Sequence, residues 1–142
     1  MAISFIGFLN DLSPLSPEVV KALSACIQIT DIEKHDLLII EEDKDIRMFF
    51  LIDGYVRCFY IDEYKERTLW FRGPGELLIA GRGFYDQNGA ADNIEVQKAG
   101  QVASLSYEAL DAITTGYPEF EKCRRVLAEY MFKASVELNG DQ

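Results

Sequence analysis

The sequence predicts a mainly β domain, a sandwich, roll or barrel, with helices at both ends. Three observations carry this. Apolar residues fall at helical spacing before about residue 27 and again after Ser106. Between Ile27 and Tyr107 the apolar runs are short, rich in β-branched and aromatic residues, and broken by glycine or polar punctuation. The chain has 142 residues, of which 49% are apolar, enough for one domain with a sizeable core.

The elements follow in order. Phe5, Phe8, Leu9 and Leu12 give a short apolar helix. Ser16-Pro17-Glu18 opens a second one, with Ser as cap, Pro at the first helical position and an acid in the first turn. Val19, Val20, Leu23 and Cys26 form its stripe. Strands are expected near Ile27–Glu33, Leu37–Glu41, Arg47–Ile52, Tyr55–Ile61, Arg67–Phe71, Leu77–Ala80, Asn93–Lys98 and Gln101–Ser106. Asp53-Gly54 reads as a turn between two of them, and Asp62 to Glu66 as a longer polar hairpin loop. Gly73-Pro74-Gly75 cannot continue a ladder. The stretch from Gly81 to Gly89, with three glycines, reads as backbone that is flexible or passes close to something.

After Ser106, which caps a short helix holding Leu110 and Ile113, Thr115-Gly116-Tyr117-Pro118 is a stop. A last helix is expected from about Pro118 to Leu138, with Gly140 ending it. Phe120, Cys123, Leu127, Met131, Ala134 and Leu138 repeat every three or four residues, a seam suited to a parallel homodimer.

Charge and composition narrow the function classes. A net charge of −10 without a basic cluster argues against nucleic-acid binding by this chain itself. No apolar run reaches a membrane span, and the apolar N-terminus lacks the basic start of a signal peptide, so a cytoplasmic protein with no membrane partner is expected. Cys26, Cys58 and Cys123 are odd in number and widely spaced, as reduced buried thiols would be. His35 is the only histidine and cannot supply a metal set or a catalytic triad; beside Asp36 it reads as a surface turn. Glu41 to Asp45 lacks calcium-loop spacing. Phe49, Phe50, Phe59, Tyr60, Trp70 and Phe71 read as core rather than cavity lining. No catalytic and no metal residues are assigned.

Two stretches carry a resemblance. Phe50 to Tyr60, FLIDGYVRCFY, looks like the F-I-x-x-G-x-x-R-x-F-Y segment of Crp/Fnr-type transcription regulators, and Glu66 to Phe71, ERTLWF, is similar to the E-x-T-x-W-F of a branch common in Bacteroidetes. Ser104 to Leu110 followed by Tyr117-Pro118 resembles the strand-to-helix exit of that family. The resemblance spans roughly Leu12 to Leu138 and implies a cyclic-nucleotide-binding-like domain: a double-stranded β-helix, or jelly-roll, of about residues 27–106 between N-terminal helices (about 3–26) and C-terminal helices (about 107–138), one domain over 1–142.

The family holds a cyclic phosphate with a glycine-rich cassette, an arginine and a ribose-binding glutamate. In this chain Ala80 and Ile79 stand where the glutamate and glycine of that motif are expected, and Ala90, Ala91, Asp92 and Asn93 occupy the arginine region. A carboxylate there would repel a phosphate. The resemblance therefore implies a sensor whose cassette does not bind cyclic AMP in the usual way. A ligand, if anionic and small, is expected around Leu78, Ile79, Ala80, Gly81, Arg82, Gly83, Asp92 and Asn93, with Arg82 as its cation. DNA would be gripped only by a helix-turn-helix that follows in the family, beyond Gln142. The competing expectation is a ligand-free dimerisation or protein-interaction module on the same fold.

Overall fold

A computed structural model describes residues 2–41, 47–79 and 92–140. Helix α1 is Ala2–Leu12 and α2 is Pro17–Cys26. The strands are β1 (Gln28–Ile32), β2 (Leu37–Ile39), β3 (Met48–Asp62), β4 (Lys65–Arg72), β5 (Leu77–Leu78) and β6 (Asn93–Leu105). Helix α3 (Tyr107–Gly116), a 3₁₀ turn (Pro118–Phe120) and α4 (Glu121–Gly140) complete the order. The capping signals act as read: the Ser16 Oγ accepts from the Val19 N–H, and the Ser106 Oγ from the Ala109 N–H.

The strands pair antiparallel around β3 and β6, which run side by side through both halves of the roll. In one half the order is β1, the C-terminal part of β6, the N-terminal part of β3, then β5. In the other it is β2, the N-terminal part of β6, the C-terminal part of β3, then β4. This is a mainly antiparallel roll with flanking helices, as the sequence predicts.

Two long strands replace four expected short ones. Asp53-Gly54 is not a chain reversal but an irregularity inside β3, opposite a matching one in β6 where Asp53 pairs with Gln101 and Tyr55 with Lys98. Gly54 has φ +108°, and a Cβ on it would sit 2.7 Å from the Lys98 carbonyl oxygen. The Asp53 carboxylate accepts from the Gly54 N–H at 2.9 Å, satisfying an amide that has left the ladder. Gly100 lies across from it, and a Cβ there would overlap the Asp53 carbonyl. Two glycines thus let the strands kink together without breaking. The hairpin loop is likewise shorter than expected. Asp62 pairs with Lys65, leaving Glu63 (φ 51°) and Tyr64 (φ 69°) as a two-residue turn with both φ positive.

The helices close the roll. Phe5 of α1 stacks on Phe50 of β3 at 5.3 Å, and Phe8 packs between Phe50 and Tyr130 of α4. The Cys123 thiol lies 3.6 Å from the Leu9 carbonyl, and the Ser16 hydroxyl donates to Glu119 at 2.8 Å. This corrects the expected dimer seam. Phe120, Cys123, Leu127 and Met131 are buried in the single chain, Ala134 is half-buried, and the Leu138 side chain lies outside the described residues. The partner of Phe120, Cys123, Leu127 and Met131 is the chain's own α1 and roll, so no free apolar edge remains at those four positions. The last helix also starts later than expected, because Pro118 opens a 3₁₀ turn before the α-helical run begins at Glu121.

Candidate functional site

Among the described residues, a cleft lies where the end of β4, the following turn and β5 meet α4. Its inner part has a volume of about 60 Å³ and is lined by Trp70, Arg72, Glu76, Leu77, Ile79, Tyr130 and Ala134. It widens outward over Arg72, Glu76, Tyr130, Lys133 and Ala134.

Local chemistry explains each placement. Trp70 and Arg72 are two apart on β4 and share a face, so the guanidinium sits over the indole, 4.7 Å from the ring centroid. Gly75 takes φ +89° in the turn, its N–H donating to the Leu51 carbonyl, while the Leu51 N–H donates to the Glu76 carbonyl. The turn is therefore pinned to β3 and holds Glu76 beside Arg72. The Glu76 carboxylate accepts from the Gly73 N–H at 2.9 Å but stands 3.9 Å from Arg72 Nε, beyond hydrogen-bond reach. Tyr130, Lys133 and Ala134, spaced by three and four, present one face of α4 across the gap.

Trp70 is 7% exposed, and its Nε1–H is buried with no acceptor among the described residues. Leaving such a donor unpaired costs about 1–3 kcal/mol. The other buried orphan is Arg57 Nε, whose guanidinium is otherwise engaged by Glu66 at 2.8 Å and Glu95 at 3.0 Å and lies over Phe59. That cluster is a structural tie across β4, β3 and β6.

The sequence-predicted ligand residues do not converge here. Ile79 lines the cleft. Leu78 is buried in β5 opposite Phe49. Asn93 is buried with its amide spent on the backbone: Oδ1 accepts from the Glu41 N–H at 2.8 Å and Nδ2 donates to the Phe59 carbonyl at 3.4 Å. Burial, and then the nearby Glu41 charge, hold the Asp92 carboxyl above the usual carboxylate range. Ala80, Gly81, Arg82 and Gly83 lie outside the described residues. The cation at the cleft is Arg72, with Lys133 opposite, and the sequence singled out neither; Trp70 is buried in the core as expected and also lines the cleft. The legible signal was Trp70 and Arg72 alternating on one strand face near a glycine-rich turn.

The two buried thiols, Cys58 and Cys123, offer no nucleophile. Burial pushes the Cys58 thiol up to about 12, with Asp92 adding to the shift and Arg72 opposing it, and burial pushes Cys123 up to about 11. Among the described residues there is no cluster able to hold a metal ion, and no helix is long and apolar enough to cross a membrane.

No family model and no curated protein sequence matches the chain. Solved structures do. A cyclic nucleotide-binding domain from Methylobacillus flagellatus superposes with a TM-score of 0.83 at 16% identity, covering 99% of this chain and 80% of that one. The catabolite activator protein of Thermus thermophilus gives 0.66 at 25% identity, over 92% of this chain and 61% of that one. The regulatory domain of Toxoplasma gondii PKA, crystallised with cAMP, gives 0.68 at 20% identity, over 79% of this chain and 44% of that one. The chain therefore spans less than two thirds of each of the last two, and it has the jelly-roll fold of cyclic-nucleotide-binding domains.

Proposed function

We propose that the chain is a non-catalytic, ligand-sensing regulatory domain of the Crp/Fnr type, whose ligand sits between the roll and α4 rather than in a phosphate cassette. The observation that carries this is the shared cleft. Trp70, Arg72, Glu76, Leu77 and Ile79 come from the roll, while Tyr130 and Ala134 come from α4. A molecule held there touches both, so its binding energy differs between positions of the helix, which is the requirement for a switch. Solved structures of similar fold include the N-terminal domain of a transcriptional regulator from Streptomyces coelicolor and the catabolite activator protein of Thermus thermophilus, which supports the regulatory reading.

Cyclic AMP binding in the usual way is not expected, because the sequence carries neither the phosphate arginine nor the ribose glutamate at the matching positions. Losing two charge-assisted contacts of about 1.5–3 kcal/mol each weakens binding by roughly two to four decades. A micromolar dissociation constant by calorimetry would overturn this. The switch itself is tested by amide hydrogen exchange along α4, using any small molecule that quenches Trp70, the sole tryptophan. The quench should disappear when Ala134→Phe fills the cleft, and bound ligand should raise protection in α4. A ligand that binds the cleft and leaves α4 exchange unchanged would contradict the sensor reading.

Pairing with a second copy is favoured by a different face of α4 from the expected seam. Phe132 is 55% exposed there. Phe132→Glu should lower the sedimenting mass if this face pairs; an unaltered protein that sediments as a monomer at tens of micromolar would remove the idea. DNA contact would belong to a following helix-turn-helix.

A further inference from the structure

Resting on the reading of this cleft as the ligand site, we infer that its ligand is a small organic oxyanion with an apolar body. The chain carries −10 overall, yet the charged side chains at the cleft are Arg72, Lys133 and Glu76, a local excess of one positive charge. A positive spot enclosed by low-dielectric walls on an acidic molecule focuses the field on anions.

The pairing inside the cleft is incomplete in the way an anion would complete. Arg72 donates to the Phe71 carbonyl at 2.9 Å, and its contact with Glu76 is only the 3.9 Å approach of Nε. Glu76 is itself held by the Gly73 N–H. Lys133 has no ion pair among the described residues. Two cations and one preoccupied carboxylate favour a ligand bearing acceptor oxygens and negative charge. The rest of the lining, Leu77, Ile79, Ala134 and the rings of Trp70 and Tyr130, suits an apolar or aromatic body.

The test uses three probes of one shape: benzoate, phenyl phosphate and benzamide, titrated against Trp70 emission at millimolar concentration. Benzoate or phenyl phosphate should saturate, and which of them binds more tightly identifies the oxyanion. Benzamide should bind at least tenfold more weakly, since it lacks a charge-assisted contact worth a factor of about 10–150. Arg72→Gln and Lys133→Gln should each weaken the anion and leave benzamide unaffected. Glu76→Gln should strengthen the anion by removing its competitor. Lys133 is exposed, so its variant stays informative if the Arg72 variant fails to fold. Benzamide binding as tightly as benzoate would overturn the anion assignment and leave the cleft as the ligand site. No response to any of the three would overturn both.

Discussion

Gly100→Ala is expected to cost about 3–5 kcal/mol, although it adds one methyl group. The added Cβ would overlap the Asp53 carbonyl and lie 2.6 Å from the Gly54 nitrogen, all backbone atoms of the neighbouring strand. No side-chain rotation can relieve this; β3 and β6 must separate where both strands kink. Overpacking of a tight site costs about 1–3 kcal/mol. Losing about two ladder hydrogen bonds around the Asp53–Gln101 pair adds roughly 1 kcal/mol each. Such a loss is a large share of the 5–15 kcal/mol that typical domains possess, estimated at about 0.05–0.15 kcal/mol per residue. The control is the same chemical change at Gly7 in α1, where a Cβ meets nothing within 4 Å. Gly7→Ala should stabilise by about 0.5–1 kcal/mol through helix propensity alone. Urea unfolding followed by emission of buried Trp70 reads both. A Gly100→Ala penalty below about 1 kcal/mol would refute the reading of the kink as a glycine-dependent close approach.

Three further outcomes follow from packing and charge. Leu127→Ala, at a side chain fully buried in the single chain, should cost about 2–5 kcal/mol at any protein concentration, whereas a dimer-seam role would make the loss concentration-dependent. Burial works to raise the Glu95 carboxyl, but its hydrogen bonds from Gln97 and Arg57 and the Arg57 charge win and hold it below its usual value. Its stabilising contribution is therefore present above the ordinary carboxylate range and lost as pH falls through the depressed value, so wild type and Glu95→Gln should differ in urea midpoint at neutral pH and converge once pH falls below that depressed value. Thiol labelling of the native protein at pH 8 should be fast only at partly exposed Cys26, with Cys58 and Cys123 reacting after unfolding; rapid labelling of all three would contradict the burial assigned to them.

Most of the fold was legible because hydrophobic period and caps are local signals. Ser16-Pro17-Glu18 and Ser106 start helices where their side chains can take an orphan amide, and the alternation from Met48 to Arg72 marks paired strands. What escaped depended on the opposing strand. Asp53-Gly54 has the composition of a turn, and only the Lys98 to Gly100 backbone across from it makes it a kink within one strand. Glu63-Tyr64 turns with positive φ at both residues without glycine or asparagine to announce it. The α4 seam was read correctly as apolar and wrongly as free, because periodicity says which face is buried and not by what; α1 supplies the cover. The cleft was missed for a related reason. Trp70, Arg72 and Glu76 are near in sequence, but Tyr130, Lys133 and Ala134 join them only through the docking of α4.

Trp70 lines the proposed ligand site between the roll and α4, so its indole resonance reports on a ligand bound there. With one tryptophan in the chain, a nitrogen–proton correlation spectrum carries a single indole resonance. On titration with benzoate that resonance should shift saturably, and Arg72→Gln should weaken the response. A resonance that stays in place while backbone amides elsewhere respond would show binding away from the cleft and contradict the account.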